Sequence, residues 1–226
     1  RLSPPLGRFQ GRLPGMMAEN SRRDAAAEIF TILAELFKYP DEVLLQQIGD
    51  GSVDDALENL FAQAGYLLPR PSLQQHAMAH SDLRRMYTSC FLGVEKPCAV
   101  PVESVYKVWT TDPSAQIGIS SSKGYLMGDS ALHILHLLEH FGLEAPSEYA
   151  QIPDHLAILL ELLAYCLQHR TAEETATFLA DHFDWLGDLK AALAQTKEHA
   201  FYTYAVDLVR AAASAAGHQL ASPSPY

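Results

Sequence analysis

The sequence has few cysteines and no long apolar run. Its three cysteines, Cys90, Cys98 and Cys166, form an odd, scattered set without a CxxC pair. Such a set is typical of reduced thiols in a cytoplasmic protein rather than of a disulfide framework. No apolar stretch approaches the roughly 18 residues that a membrane-spanning helix needs, so we expect no stable membrane insertion. These absences favour a cytoplasmic protein.

Basic residues are scarce relative to acidic ones. Among 226 residues, 16 are Lys or Arg and 27 are Asp or Glu, which gives a formal net charge of −11 at pH 7. This excess argues against nucleic acid and anionic membranes as partners. It favours basic ligands such as arginine-rich peptides, because opposite charge raises the encounter rate and selects the sign of the partner. Acidity also keeps a protein soluble, so composition alone leaves both interpretations open.

Familiar catalytic and nucleotide-binding motifs are absent as well. The chain has no GxxxxGK(S/T) loop, no GxSxG elbow and no GxGxxG following a strand. A P-loop nucleotide site and an esterase-type serine are therefore unsupported, and we predict no cofactor.

The two ends of the chain differ in composition from the rest. Residues 1–16 contain three Arg, three Pro and three Gly but no acidic residue. We interpret them as a leader added for expression, disordered and outside the fold. Residues 216–226 end in a Ser- and Pro-rich sequence and are expected to form a frayed tail. Residues 17–215 are then the folded part.

Helical periodicity dominates that folded part. In the first segment Ile29, Leu33, Leu36 and Phe37 recur at helical spacing, and no run of alternating strand pattern occurs. We predict an all-α fold of about nine to eleven helices, as one domain or as two lobes around a Gly/Ser/Pro hinge at 112–124. The expected helices include 21–37, 73–93, 127–142, 154–169, 172–183 and 186–215.

The tripeptide Pro153-Asp154-His155 stands directly before a leucine-rich run. On a helix over 154–169, Asp154 is placed to cap the N-terminus, while His155 points into the apolar arc. Because adjacent helical residues point about 100° apart, the two do not form a catalytic pair. They are either a cap and a core histidine, or a ligand-facing notch that shares its polar face with Glu161.

A second candidate site is a stripe of one carboxylate and three imidazoles on one helix: Asp129, His133, His136 and His140. Their spacing of 4, 3 and 4 residues places them opposite an apolar face that includes Leu135 and Leu138. Such a set can bind zinc or another transition metal, which would make the protein a metal-dependent helical enzyme. The alternative is the solvated polar face of an amphipathic helix.

Three segments together resemble a known family. They are MYTSCFLGVEKPCAVPVESVY (86–106), MGDSALHILHLLEHFGLE (127–144) and IPDHLAILLELLAYCL (152–167). Their order in an acidic, all-helical chain resembles the TorD/DmsD-like family of cytoplasmic chaperones for molybdenum-cofactor oxidoreductases, which includes the NarJ-type proteins.

The third segment is similar to a family signature, Glu-Pro-x-Asp-His followed by a Leu-Glu pair. Pro153 takes the variable position, Asp154 and His155 match, and Leu160-Glu161 matches the later pair. Gln151-Ile152 departs from the Glu-Pro of the pattern. In the first segment the residues that match by type are Tyr87, Phe91, Leu92, Gly93, Pro101, Ser104 and Tyr106.

The resemblance implies a function without catalysis. Members of this family bind the twin-arginine signal peptide of a client oxidoreductase subunit, or its apo form, and hold it in the cytoplasm until the molybdopterin cofactor is inserted. The resemblance implies no resident cofactor, and either a monomer or a dimer that swaps domains at 112–124. A helical adaptor that recognises no such peptide is the plain alternative.

From these matches we predict a peptide-binding groove between the Pro-rich loop 97–106 and the notch at 153–155. Asp154, Glu161 and Glu103 would pair with the ligand's arginines, because a guanidinium fork matches a carboxylate. Replacing Asp154 or His155 with alanine would then weaken peptide binding and leave the helical fold intact.

The same groove is expected to hold the apolar part of the peptide. Tyr106, Trp109 and Phe91 would pack against it, with the peptide bound as a helix in a groove. The predicted site is completed by Tyr87, Pro101, Ser104 and Pro153.

Overall fold

The computed structural model describes residues 14–70, 72–76, 80–94, 96–197 and 199–221. These residues form ten α-helices and two 3₁₀ turns, at Gln74–His76 and Ser147–Tyr149. The helices are α1 Pro14–Glu35, α2 Glu42–Gly49, α3 Ser52–Ala64, α4 His80–Phe91, α5 Glu103–Tyr106, α6 Asp129–Phe141, α7 Leu156–His169, α8 Ala172–His182, α9 Leu186–Leu193 and α10 Ala200–Ala221. The described part contains no strand, only an isolated antiparallel bridge between Val102 and His155. The prediction of an all-α fold is confirmed.

The leucine-rich run forms the central helix, α7. Ten of its residues are buried, so leucine and alanine side chains meet other helices on nearly every side. It packs chiefly against α1 and α8, while α1 also contacts α3 and α10. Each buried leucine contributes roughly 1.5–3 kcal/mol through removal of its surface from water. The run of leucines therefore reflects a helix at the middle of the core.

Two helix boundaries follow the local sequence signals. Asp41 caps α2, since its Oδ1 accepts a hydrogen bond from the Leu44 amide at 2.8 Å. Gly65 ends α3 with φ of 78°, a left-handed conformation that glycine adopts without a steric penalty. Both boundaries are therefore set by residues that flank the helix in the sequence.

Other predicted boundaries were wrong. The helix expected from Ser21 begins at Pro14, so residues 14–16 of the expected leader are helical, and residues 1–13 lie outside the described part. The helix predicted for 73–93 is replaced by a 3₁₀ turn and by α4, which begins at His80.

The helix predicted for 186–215 is divided into α9 and α10. Between them Thr196 turns inward: its hydroxyl donates to the Leu193 carbonyl at 2.8 Å and lies 3.4 Å from the Cys90 sulfur. No glycine or proline marks this break, which explains why the pattern did not reveal it. Helix α10 then continues to Ala221, so the start of the expected tail is helical, and residues 222–226 lie outside the described part.

The expected hinge at 112–124 lies in a loop that leaves α5 and returns to α6. Its two limbs are joined by backbone hydrogen bonds from Trp109 to the Ser122 carbonyl and from Thr110 to the Ser120 carbonyl, both 3.0 Å. The Gly124 amide then donates to the Val105 carbonyl at 2.9 Å. Division into lobes and domain swapping at this loop stay predictions.

None of the helices in the described ranges is both long enough and apolar enough to cross a membrane.

Candidate functional site

The Pro-rich loop and the start of α7 are joined directly. The Glu103 amide donates to the Asp154 carbonyl at 3.1 Å, and the Leu156 amide donates to the Pro101 carbonyl at 2.8 Å. Pro101 and Pro153 are both buried at this junction. The two segments expected to line a groove therefore close against each other and leave no open notch between them.

Asp154 is fully buried and stabilises the junction. Its Oδ2 accepts hydrogen bonds from both the amide, at 2.7 Å, and the hydroxyl of Ser104. These contacts satisfy an amide in the first turn of α5, which has no partner within its own helix. Burial raises the pKa of the Asp154 carboxyl, although the two hydrogen bonds from Ser104 act in the opposite direction. The expectation that Asp154 caps α7 was wrong.

His155 is the residue that caps α7. Its Nδ1 accepts a hydrogen bond from the Ala157 amide at 3.2 Å, and its ring lies 4.9 Å from that of Tyr149. The side chain is buried, and burial lowers its pKa to about 3. His155 is therefore neutral at physiological pH and belongs to the core, as its position in the apolar arc indicates.

Two of the predicted aromatic contacts are also in the core. Tyr87 and Phe91 are buried in a cluster with Phe37 and Tyr202, and the Phe91 and Tyr202 ring centroids are 4.4 Å apart. Such packing leaves no surface for a ligand. This burial conflicts with the expectation that Phe91 and Tyr87 line the groove. Their match to the family pattern reflects their packing in the core.

Glu161 lies away from the other predicted contacts. Its carboxylate pairs with the Lys38 ammonium group across α7 and the end of α1, and its side chain is 19% exposed. Trp109 is half-buried, and its indole N–H donates to the Leu126 carbonyl at 3.1 Å, which stabilises the loop before α6. Neither residue lines the open pocket formed by α5, α6, α8 and α9.

An open pocket of ≈ 560 Å³ lies where α5, α6, α8 and α9 meet. We call it the acidic pocket, and its volume is within the usual range for ligand sites. Four of its lining residues come from the sequence-based candidates: Glu103, Tyr106, Asp129 and His133. The others are Lys107, Val108, Thr111, Lys123, Ser130, Asp181, His182, Asp184, Trp185 and Asp188.

Negative charge exceeds positive charge in the acidic pocket. Its lining includes five carboxylates and two lysines, which leaves three negative charges in excess when both histidines are neutral. Lys107 contacts Glu103 Oε1 at 2.9 Å and Asp184 Oδ1 at 2.8 Å. Burial disfavours the charged Lys107, but these two carboxylates outweigh it and raise its pKa. Lys123 contacts Asp188 Oδ2 at 3.2 Å. Both lysines are therefore paired, and the lining keeps an excess of negative charge that attracts a further cation.

A hydrogen-bonded chain of three side chains, which we call the relay, forms the back of the pocket. The buried Glu103 carboxylate contacts His182 Nδ1 at 2.8 Å through Oε2. His182 is also buried, and its Nε2 lies 2.9 Å from Nδ1 of His133. His133 is exposed on the pocket wall. The relay therefore connects a buried carboxylate with the pocket surface.

An apolar wall stands beside these charges. The rings of Tyr106 and Trp185 are stacked, with centroids 5.2 Å apart and planes 17° from parallel. The Trp185 indole N–H donates to the His182 carbonyl at 2.8 Å, which orients the ring. The pocket thus offers both carboxylates and an aromatic surface to a ligand with a charged head and an apolar stem.

The stripe on α6, which could be a metal site or a solvated polar face, forms no metal site in the described ranges. Asp129 Oδ2 accepts hydrogen bonds from the Thr110 hydroxyl at 3.0 Å and the Thr111 amide at 2.8 Å. His133 is engaged by His182, whereas His136 and His140 stack on each other. Across the described ranges, no group of three or more His, Cys, Asp or Glu side chains could hold a metal ion. The placement of Leu135 on the buried face was also wrong, since it is 39% exposed.

Glycine at position 128 allows the loop to return closely to α6. A Cβ atom built there would lie 2.6 Å from the Trp109 carbonyl oxygen. The same oxygen accepts a hydrogen bond from the Asp129 amide at 2.8 Å. This approach fixes the first turn of α6, and with it Asp129 and Ser130, at the rim of the pocket.

Sequence reasoning missed the contribution of the α8–α9 junction. Its sequence, Asp181-His182-Phe183-Asp184-Trp185, combines acids, a histidine and aromatics. That composition is a signal in itself, but periodicity assigned it to the end of a helix and a turn. Its pairing with Glu103, 79 positions earlier in the chain, depends on tertiary structure.

Known proteins match this chain both in sequence and in fold. A family model described as nitrate reductase delta subunit matches residues 50–199, a range that includes every residue lining the acidic pocket. The chaperone protein TorD of Shewanella pealeana is 28% identical over 122 residues, which are 54% of this chain and 52% of the relative. The chain thus matches about half the length of that relative.

The fold is similar to that of a solved structure. A putative redox enzyme maturation protein from Archaeoglobus fulgidus superposes with a TM-score of 0.51 at 20% identity. The match covers 95% of this chain and 98% of the other. This likeness supports a shared helical architecture along nearly the whole chain.

Proposed function

Because the chain belongs to the nitrate reductase delta subunit family, we propose that it is a maturation chaperone for a redox enzyme subunit. The predicted TorD/DmsD-like resemblance is confirmed by the family model and by the TorD match. The client in this proposal is the apo form of a molybdenum-cofactor oxidoreductase subunit, held in the cytoplasm until its cofactor is inserted. The protein itself catalyses no reaction.

The chaperone would recognise its client through a basic segment bound in the acidic pocket. The observation that carries this proposal is the buried Glu103 at the back of a pocket with excess carboxylates. An arginine side chain suits the site, because its guanidinium group donates several hydrogen bonds to carboxylates while its stem packs on aromatic rings. The stacked Tyr106 and Trp185 rings provide that surface.

The twin-arginine signal peptide of the client is the basic segment that we propose. One arginine would contact carboxylates on the α8–α9 side of the pocket, where Asp181, Asp184 and Asp188 lie. The second would reach the wall formed by Asp129 and His133 on α6. Asp154, Pro153 and His155 take no direct part, since they hold α5 and α7 together and thereby position Glu103.

Peptide binding tests this proposal. We expect a fluorescently labelled peptide from the client's N-terminus, with two adjacent arginines, to bind with an affinity that falls as ionic strength rises. A matched peptide with both arginines replaced by citrulline keeps the shape and removes the charge, so we expect at least about tenfold weaker binding. Fluorescence anisotropy measures both affinities.

Equal affinity for the arginine and citrulline peptides would contradict recognition by charge. Absence of binding to both would favour a helical adaptor with a different partner. The α6 stripe gives a metal-dependent enzyme no support, since no three of its side chains could hold a metal ion together in the described ranges.

A further inference from the structure

The hydrogen bonds of the relay determine whether Nε2 of His133 can accept a hydrogen bond from a ligand. The Glu103 carboxylate can only accept hydrogen bonds, so His182, when it is neutral, donates from Nδ1 and accepts at Nε2. His133 then donates from its Nδ1 to His182, which leaves Nε2 of His133 unprotonated. A buried carboxylate thereby sets the tautomer of an exposed histidine in the pocket.

We propose that this relay makes His133 a pH-sensitive contact for the cationic side chain of the ligand, a step that rests on the proposed function. Nε2 of neutral His133 accepts a hydrogen bond from a guanidinium N–H group. Protonated His133 has no lone pair to offer and repels the same cation. The acidic pocket therefore binds its basic ligand at neutral pH and releases it as pH falls.

The groups around His133 determine the pH at which it changes charge. Those that act on it are Glu103 from α5, Asp181 and His182 from α8, and His136 from α6. The other charged groups of the pocket are Lys107, Lys123, Asp129, Asp184 and Asp188. Burial and His182 lower the pKa of His133, while Asp181 and Glu103 oppose them, and the net pKa is below the ordinary value.

The direction of the effect follows from that lowered pKa. His133 is neutral at pH 7 and gains its proton at a pH below about 6.5, the ordinary value for histidine. Ligand binding competes with that proton, so affinity is constant at higher pH and decreases through the pKa of His133. His155, with its pKa lowered to about 3, stays neutral over the same range and contributes nothing to the change.

Two substitutions of the exposed His133 distinguish the loss of its hydrogen-bond acceptor from the loss of its ability to be protonated. In His133→Gln the amide oxygen reaches the position of Nε2, so an acceptor stays but cannot be protonated. In His133→Asn the shorter amide reaches only the position of Nδ1, so the contact to His182 stays and the acceptor is lost. His136→Asn changes an exposed histidine of the same helix outside the relay and is the matched control.

The experiment measures affinity for the two-arginine peptide by anisotropy between about pH 8 and about pH 5.5. For the unmodified protein and His136→Asn we expect a decrease of about tenfold or more across this range. His133→Gln keeps an acceptor that does not titrate, so its affinity should change by less than about threefold between the two ends of the pH range. His133→Asn should bind about tenfold more weakly at the higher pH.

A readout on the unliganded protein tests the relay itself. Nitrogen-15 NMR of the histidine rings should show Nε2 of His133 unprotonated and Nδ1 protonated at pH 8. Circular dichroism at each pH verifies that the helices are intact.

The outcomes distinguish this inference from the proposed function. Binding that is equally strong at both ends of the pH range, or a His133→Asn variant with full affinity, overturns the relay and leaves the chaperone proposal standing. The opposite tautomer of His133 also overturns it. Absence of peptide binding at every pH overturns the peptide site of the proposed function and the relay's role together.

Discussion

Replacing Asp154 with alanine is expected to lower the free energy of unfolding by about 2–4 kcal/mol. The substitution leaves the buried amide and hydroxyl of Ser104 without their acceptor, and each unsatisfied buried group costs about 1–3 kcal/mol. The replaced carboxylate is itself unfavourably buried, which offsets part of that loss. Urea denaturation followed by circular dichroism measures the difference.

Asp154→Asn is the matched control for this prediction. Its amide oxygen can accept both hydrogen bonds from Ser104, and it removes the cost of burying a charge. Asp154 Oδ1 has no hydrogen-bond partner among the described residues, so an amide nitrogen there replaces one unsatisfied atom with another. We expect the stability of Asp154→Asn at pH 7 to lie within about 1 kcal/mol of that of the unmodified protein.

The pH dependence of this pair has a defined sign. The pKa of Asp154 is raised in the folded protein, so the folded state takes up its proton at higher pH than the unfolded chain. The unmodified protein therefore gains stability relative to Asp154→Asn as pH falls through the folded pKa. A small, pH-independent loss in both variants, combined with lost peptide binding in Asp154→Asn, would instead identify Asp154 as a ligand contact.

Reversing charge in the acidic pocket is expected to decrease affinity for a two-arginine peptide by at least about a hundredfold. The double substitution Asp181→Lys and Asp188→Lys replaces two carboxylates with ammonium groups and turns an excess of three negative charges into an excess of one positive charge. Like charges brought together in a binding site cost several kcal/mol, and about 1.4 kcal/mol corresponds to tenfold in affinity. Both positions are exposed, so we expect little change in stability.

The matched control reverses two negative charges at positions outside the acidic pocket. Glu19 and Glu28 are exposed on α1, which does not line the pocket, and their replacement by lysine alters net charge equally. We expect this control to keep its affinity within about threefold, because α1 contributes no residue to the pocket and salt screens exposed charges that do not contact the ligand. Similar losses in both double variants would show that net charge, rather than the acidic pocket, governs binding.

The fold was largely predictable because its signals are local. Helical spacing identified α1 and α6, and the leucine run of α7 indicated a helix enclosed by others. The division between α9 and α10 was not predictable, since Thr196 turns the chain by contacts with Leu193 and the distant Cys90. No helix-breaking residue stands at that point.

The site was only partly predictable because its contacts join distant segments. Glu103 and Tyr106 line the acidic pocket, whereas Ser104 between them is buried against Asp154. That Glu103 and Tyr106 contact a ligand stays a prediction. Asp154 was expected to contact the ligand because it matches the Asp-His pair of the family signature. Its partner, Ser104, lies 50 positions earlier in the chain.

His133 illustrates how tertiary structure changes the chemistry of a residue. Its spacing with neighbouring histidines left a metal stripe or a solvated helix face as alternatives, yet the side chain that it contacts is His182 on α8. That histidine is in turn oriented by Glu103 on α5. Three helices therefore contribute one residue each to the relay, and no single segment contains the pattern.

The central claim, that this chain is a maturation chaperone for a redox enzyme subunit, is tested most directly by isolation of the complex. The client subunit of a molybdenum-cofactor oxidoreductase from the same genome is co-expressed with the tagged chain, without cofactor, and the complex is purified and its stoichiometry measured by light scattering. We predict a stable complex with the unmodified chain and with Glu19→Lys/Glu28→Lys, and none with Asp181→Lys/Asp188→Lys. Failure of the unmodified chain to bind any such apo subunit, or equal recovery with all three chains, would contradict the account.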